Sequence, residues 1–183
     1  VSVEHRADHR PCPRQDAPQS TENRPQRALA TAATGAQDPR KPKGLKTAPL
    51  TLWAVDTIER VREGLRRYIL TVIDPCSAVA FAVALPSKHA RHSAAVAQAL
   101  IDGLAEHGPL QFLSDNGSEF QGHFEEVLQQ HGLTHFWTYP KSPKMNAHVE
   151  RFNRTIQEQF VDYHEDLLFS DLELLNQNIA LLL

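Results

Sequence analysis

The chain has 183 residues, 41% apolar and 22% charged, with a formal net charge of −3, the composition of about one globular domain. No run of about 18 apolar residues occurs and the first thirty residues hold no apolar stretch, so neither a membrane-spanning helix nor a secretory leader is expected. Two cysteines, Cys12 and Cys76, cannot build a disulfide framework, which makes a reducing cytoplasm the default.

Charge is unevenly spread. Residues 1–50 hold nine Lys and Arg against five acids, a surplus of +4, so residues 51–183 carry −7. The same segment holds seven of the twelve prolines and no Phe, Trp, Tyr, Ile or Met. It cannot bury enough apolar area to offset the entropy of ordering it, and residues 1–48 read as a disordered basic arm. Arg40-Lys41-Pro42-Lys43 is its densest cationic patch, either a solvated linker or a phosphate contact. His5 and His9 are four apart, but with only Cys12 nearby they lack the ligands of a closed zinc site.

The remainder, residues 49–183, reads as a core. Leu50 to Ile58 alternates as a strand, with Trp53 and Val55 on one side and Leu52, Ala54 and Asp56 on the other. Glu59 to Gly64 supplies a turn. Tyr68–Ile73 and Ala78–Leu85 are β-branched apolar runs separated by Asp74-Pro75-Cys76-Ser77, so three strands form an antiparallel meander. Ser93–Leu104 has helical spacing and ends at Gly108-Pro109. A short strand over Leu110–Leu113 follows, then an amphipathic helix over Phe120–Gln130, a strand over Thr134–Tyr139, and a helix over His148–Asp162. The order β-β-β-α-β-α-β-α predicts an α/β fold with one mixed sheet flanked by helices.

Three carboxylates stand out. Asp56 lies inside an apolar strand, where an unpaired acid is costly. Asp115 leaves a strand just before the turn pair Asn116-Gly117. Glu150 begins the last long helix, off its apolar stripe of Val149, Phe152, Ile156 and Phe160, on a face shared with Arg154 and Gln157. Each has a plain alternative as strand end, turn residue or i,i+4 partner. With the first and fourth strands adjacent in such sheets, the acids could instead converge as a hard oxygen site for Mg²⁺ or Mn²⁺.

The stretches Ser114-Asp115-Asn116-Gly117-Ser118-Glu119-Phe120 and Ser142-Pro143-Lys144-Met145-Asn146-Ala147-His148-Val149-Glu150-Arg151-Phe152-Asn153-Arg154-Thr155 carry a family resemblance. Together they resemble the catalytic core of bacterial insertion-sequence transposases of the retroviral-integrase superfamily. That resemblance implies a ribonuclease-H-like five-stranded sheet and an Asp-Asp-Glu triad. The last two acids of the family stand about 35 positions apart, and Asp115 and Glu150 are separated by 35. Asp56, in Trp53-Ala54-Val55-Asp56-Thr57, takes the first position, 59 residues before Asp115. The resemblance covers residues 50 to about 180.

What it implies is a DNA transposase or integrase, a strand transferase in which Asp56, Asp115 and Glu150 are both catalytic and metal-holding. Two Mg²⁺ or Mn²⁺ ions roughly 4 Å apart would serve in-line displacement at phosphorus, with Asp56 bridging them. DNA contacts are expected from Lys141, Lys144 and Asn146 on the Pro-bounded segment and from Arg151, Arg154 and Gln157 on the helix. The partners implied are element ends, target DNA and further copies of the chain, in a bacterial cytoplasm near the nucleoid. The arm shows no helical period that could form the family's usual end-reading helix-turn-helix, and no Tyr-Asn-x-x-Arg-Pro-His pattern occurs before Leu183. The sequence therefore reads as a truncated catalytic core. A remnant that folds and binds DNA or a partner without moving an element is the alternative.

Overall fold

The computed structural model describes Pro42, Leu45 and residues 47–138 and 147–182, all within one compact unit, Gln37–Leu183. Strand β1 (Leu52–Arg62) continues past the expected end at Ile58. Glu59–Arg62 does not turn, because each residue finds a partner in β2 (Leu65–Ile73), in a register running from Arg62↔Leu65 to Ala54↔Ile73. The turn shrinks to Glu63-Gly64, both at positive φ (52° and 81°). A two-residue hairpin loop whose twist matches its strands requires that conformation, and Gly64 adopts it without a Cβ penalty.

Strand β3 (Ala80–Leu85) pairs antiparallel with β2. Asp74 organises the connection between them. Its buried carboxylate accepts from the amides of Leu50 (2.8 Å), Cys76 (3.1 Å) and Ser77 (2.9 Å) and from the Ser77 hydroxyl (2.5 Å). Burial alone would raise its pKa; the Leu50 amide, the Ser77 hydroxyl and the other two amides outweigh burial and hold it below the usual value. One side chain thus ties the entry of β1 to the β2–β3 turn.

Helix α1 (Ala90–Gly103) crosses to β4 (Gln111–Ser114), which lies parallel to β1, and α2 (His123–Gln130) crosses to β5 (Thr134–Trp137), parallel to β4. The sheet order is β3-β2-β1-β4-β5. Strand alternation sorts the core onto two faces. Trp53, Val55, Leu70, Val72 and Phe112 pack with Ala97 of α1 and Phe124 and Leu128 of α2. On the opposite face, Leu52, Ala54 and Leu113 meet Val149 of α3 (Ala147–Ile156), which continues as a π-helical turn over Gln157–Val161.

Two further helices, α4 (Glu165–Ser170) and α5 (Leu172–Leu182), complete that second layer beyond the elements the sequence predicts. Leu168, Leu175 and Ile179 are fully buried against Ile58, Ile69, Ala82 and Ala84. Asp171 caps α5 by accepting from the Leu174 amide at 3.0 Å. The Asn176 amide bonds both backbone groups of Ala84 (2.7 and 3.0 Å), covering part of the otherwise open edge of β3.

Candidate active site

The parallel register of β1 and β4 decides where the first two acids stand. Pairing runs from Leu52↔Gln111 to Ala54↔Leu113, so Asp56 and Asp115 each lie two residues beyond the last partner pair. Asp56, still within β1, keeps the face of Ala54 beneath α3, while Asp115 stands just past the end of β4 as a neighbouring charge. Their expected adjacency follows from strand pairing.

Of the three expected triad acids, Asp56 is the most constrained. Its Oδ1 accepts the Thr57 amide at 2.8 Å and its Oδ2 accepts Nδ2 of Asn153 at 2.9 Å. The Asn153 Oδ1 in turn accepts the Thr71 hydroxyl at 2.5 Å, so α3, β1 and β2 are linked through one buried amide. Burial pushes the Asp56 pKa from 3.8 to about 6; the Thr57 amide and Asn153 lower it, while the charges of Asp115 and Glu119 raise it. The sequence assigns Phe152 to the buried stripe of this helix. The structure gives that depth to Asn153 and leaves Phe152 half-buried.

Asp115 is exposed on a tight turn, its Oδ1 accepting the Gly117 amide at 3.0 Å. Its backbone is braced from behind. The Ser114 hydroxyl donates to the Asp115 carbonyl at 2.7 Å, and with its single proton so engaged it must accept from His135 Nε2, 2.9 Å away. Burial between Phe124 and Trp137 pushes the His135 pKa down to about 4, consistent with this neutral tautomer.

Glu119 is a carboxylate that the sequence reading passes over. It is only 4% exposed, and its Oε1 lies 3.0 Å from the Lys88 ammonium. Its backbone carbonyl accepts the buried Ser93 hydroxyl of α1. An acid four residues after Asp115 shows no periodic signal of burial. It is carried inward because Phe120, its neighbour, anchors in the core.

Glu150 is exposed on the first turns of α3, between buried Val149 and Asn153. It is not among the principal charges acting on Asp56. Among the described residues, no three His, Cys, Asp or Glu side chains converge closely enough to hold a metal ion. Arg151 and Arg154 are exposed and Gln157 is half-buried, its amide donating to the Asn153 carbonyl at 2.9 Å. Lys141, Lys144 and Asn146 fall outside the described residues, as does nearly all of the expected arm over residues 1–48.

The donor chemistry fits a hard divalent cation. Asp56 and Asp115 are oxygen donors on one sheet edge, and Asp56 is kept from ionising at its ordinary pH by burial and by two neighbouring negative charges. A cation at that edge would relieve both penalties.

The integrase core domain family matches residues 46–143, more than half of the chain and inclusive of Asp56 and Asp115, though not of Glu150. The chain is similar to the Pol-related polyprotein of the mouse intracisternal A-particle MIA14, 28% identical over 128 residues, covering 69% of this chain and 14% of that polyprotein. It is also similar to the retrovirus-related Pol polyprotein from transposon TNT 1-94 of Nicotiana tabacum, 47% identical over 47 residues, 25% of this chain and 4% of the polyprotein. The chain thus spans a small fraction of the curated relatives it matches. Among solved structures, the HTLV-2 integrase catalytic core domain in complex with magnesium, in its trimeric form, superposes with a TM-score of 0.55 at 18% identity, covering 72% of this chain and 82% of that one. A chain of the simian T-cell lymphotropic virus intasome in complex with PP2A regulatory subunit B56 gamma superposes with a TM-score of 0.54 at 20% identity, covering 71% of this chain and 46% of that one. At such identities the likeness is one of fold, the ribonuclease-H-like sheet of integrase catalytic cores. By the match over residues 46–143, the chain belongs to the integrase core domain family.

Proposed function

We propose that the chain is the catalytic core of a DNA strand transferase that performs metal-dependent phosphoryl transfer on the ends of a mobile element. The observation that carries the reading is the β1–β4 register, which brings Asp56 and Asp115 to the same end of neighbouring strands, with the helix bearing Glu150 bonded to Asp56 through Asn153. In this reading Asp56, Asp115 and Glu150 would hold Mg²⁺ or Mn²⁺. Bound there, the ions would activate an attacking water or DNA 3′-hydroxyl and stabilise the leaving oxygen.

The chain's own residues prepare that chemistry. Asn153 and the Thr57 amide fix the two oxygens of Asp56, so its orientation is set before anything binds. His135 and Ser114 fix the backbone that delivers Asp115. Arg151 and Arg154 on α3 and Gln157 on the turn that continues it, with Lys141, Lys144 and Asn146, would supply phosphate contacts around the acids, and such contacts position DNA without reading sequence. The dimeric and trimeric HTLV-2 cores and the intasome support a homo-oligomer that pairs two DNA ends. The source, a bacterial insertion sequence or a retroelement like the two relatives, is distinguished by the repeats flanking the gene.

The test is Mn²⁺-dependent nicking and strand transfer on a short pre-cut duplex. Weak, sequence-indifferent activity is expected. It should vanish in Glu150→Gln while the circular dichroism spectrum is unchanged. Activity that survives Glu150→Gln would remove Glu150 from the triad; normal metal binding without any nicking would favour a remnant that folds but does not transfer strands.

A further inference from the structure

Beside Asp56 and Asp115 stands a charge pair that the triad does not use. Lys88, in the loop before α1, approaches Glu119 Oε1 at 3.0 Å, while Glu119 Oε2 is buried with no hydrogen-bond partner. That free oxygen lies beside Gly117, as does Asp115 Oδ1. A Cβ placed on Gly117 would lie 2.5 Å from Glu119 Oε2 and 2.9 Å from Asp115 Oδ1, so the two carboxylates flank the same glycine. Lys88 faces the same group of acids. Partial burial works against its charge, but the bond to Glu119 and the charges of Glu119, Asp115 and Glu59 hold its pKa above the usual value.

A carboxylate that keeps one oxygen buried and without a donor is costly to fold. Packing does not require it, because a glutamine of the same shape would fill the space. The negative charge itself is what distinguishes this side chain, and it stands beside Asp115 across Gly117.

We infer that Lys88 and Glu119 act as an opposed pair that sets the divalent-metal affinity of the Asp56–Asp115 edge, Glu119 raising it and Lys88 lowering it. Glu119 adds negative potential at the two acids without needing to touch a metal. Lys88 cancels part of that potential and pins the carboxylate in place. The inference rests on the reading of Asp56 and Asp115 as metal-holding residues, and both side chains of the pair are positioning residues.

The experiment is calorimetric Mn²⁺ titration of the whole chain, of Asp115→Asn, of Lys88→Met, of Glu119→Gln and of the Lys88→Met/Glu119→Gln double variant, with metal-free thermal melts alongside. Lys88→Met should bind Mn²⁺ about fivefold more tightly despite a lower melting temperature, and Glu119→Gln about fivefold more weakly. In the double variant the two changes should cancel to within about twofold. A purely structural pair would weaken binding in both single variants, and that result overturns the inference while leaving the site reading intact. Should Lys88→Met fail to fold, Lys88→Gln, whose amide can still donate to Glu119, carries the same expectation. Unaltered Mn²⁺ binding in Asp115→Asn would overturn the site reading instead, and no binding by the unsubstituted chain would overturn both.

Discussion

Replacing Asp56 by asparagine should stabilise the metal-free protein at pH 7.5 and have little effect near pH 4. The folded carboxyl has a pKa of about 6 against 3.8 for an ordinary aspartate. A raised carboxyl pKa means the charged form opposes folding: the penalty is absent below 3.8, grows as pH rises, and is complete above about 6. That interval corresponds to roughly 3 kcal/mol. Asparagine can keep the local bonds. Its oxygen accepts the Thr57 amide, and the Asn153 amide can turn over to accept from the new side chain while donating to Thr71. The Thr71 hydroxyl then donates to the Asp56 carbonyl, already 3.3 Å away. Allowing for this rearrangement, about 2 kcal/mol should remain, a rise in Tm of about 5 °C.

The assay is thermal or urea unfolding in chelator at pH 4, 5, 6 and 7.5. The unsubstituted chain by itself is a poor witness, because His135 runs in the opposite sense. Its pKa is pushed down to about 4, so its contribution is complete above the ordinary 6.5 and lost as pH falls toward 4, again roughly 3 kcal/mol. Acidification therefore gains at Asp56 about what it loses at His135, and the profile between pH 4 and 6.5 should be nearly flat. The difference between variant and parent isolates Asp56. A difference that does not change with pH would refute the electrostatic account.

Removing the opposing group should expose Asp56 from the other side: in His135→Gln, stability should rise by about 2 kcal/mol on going from pH 6.5 to 4, read by the same melts. Asn153→Ala should cost roughly 2 kcal/mol at pH 7.5, where it leaves Asp56 charged without the donor to its Oδ2, and less at pH 4. Gly117→Ala should scarcely change Tm, since its φ of −67° suits alanine and the colliding atoms are side-chain ends, yet it should sharply weaken Mn²⁺ binding by displacing Asp115 and Glu119. Asp74→Ala should destabilise by roughly 3 kcal/mol, because three amides and a hydroxyl lose one buried acceptor together.

Period and punctuation carried the order of the first eight elements: alternation at Trp53 and Val55, the helical spacing from Ser93, and Gly108-Pro109 are local signals that survive without tertiary help. Motif spacing is also what proposes Asp56, Asp115 and Glu150 as a set. The strand extension to Arg62 was not legible, because Glu59–Arg62 is polar and becomes strand only through its cross-strand partners. Helices α4 and α5 were missed for a related reason. Leu168, Leu175 and Ile179 are apolar in sequence, but only the face of β2 and β3 beneath them makes that pattern a buried stripe.

The same division holds at the site. Amino-acid type and spacing are properties of the chain alone, so candidate acids can be read from it. Burial, by contrast, depends on what arrives from elsewhere in the fold. Asn153 becomes the donor to Asp56 only when α3 crosses β1 and β2, and Glu119 becomes a buried charge only when Phe120 seats in the core and Lys88 closes over it. Electrostatic effects scale with the surroundings of a charge as much as with its identity. The sequence by itself therefore determined which groups could do the chemistry, and the tertiary structure decided which of them are desolvated, paired and held in place.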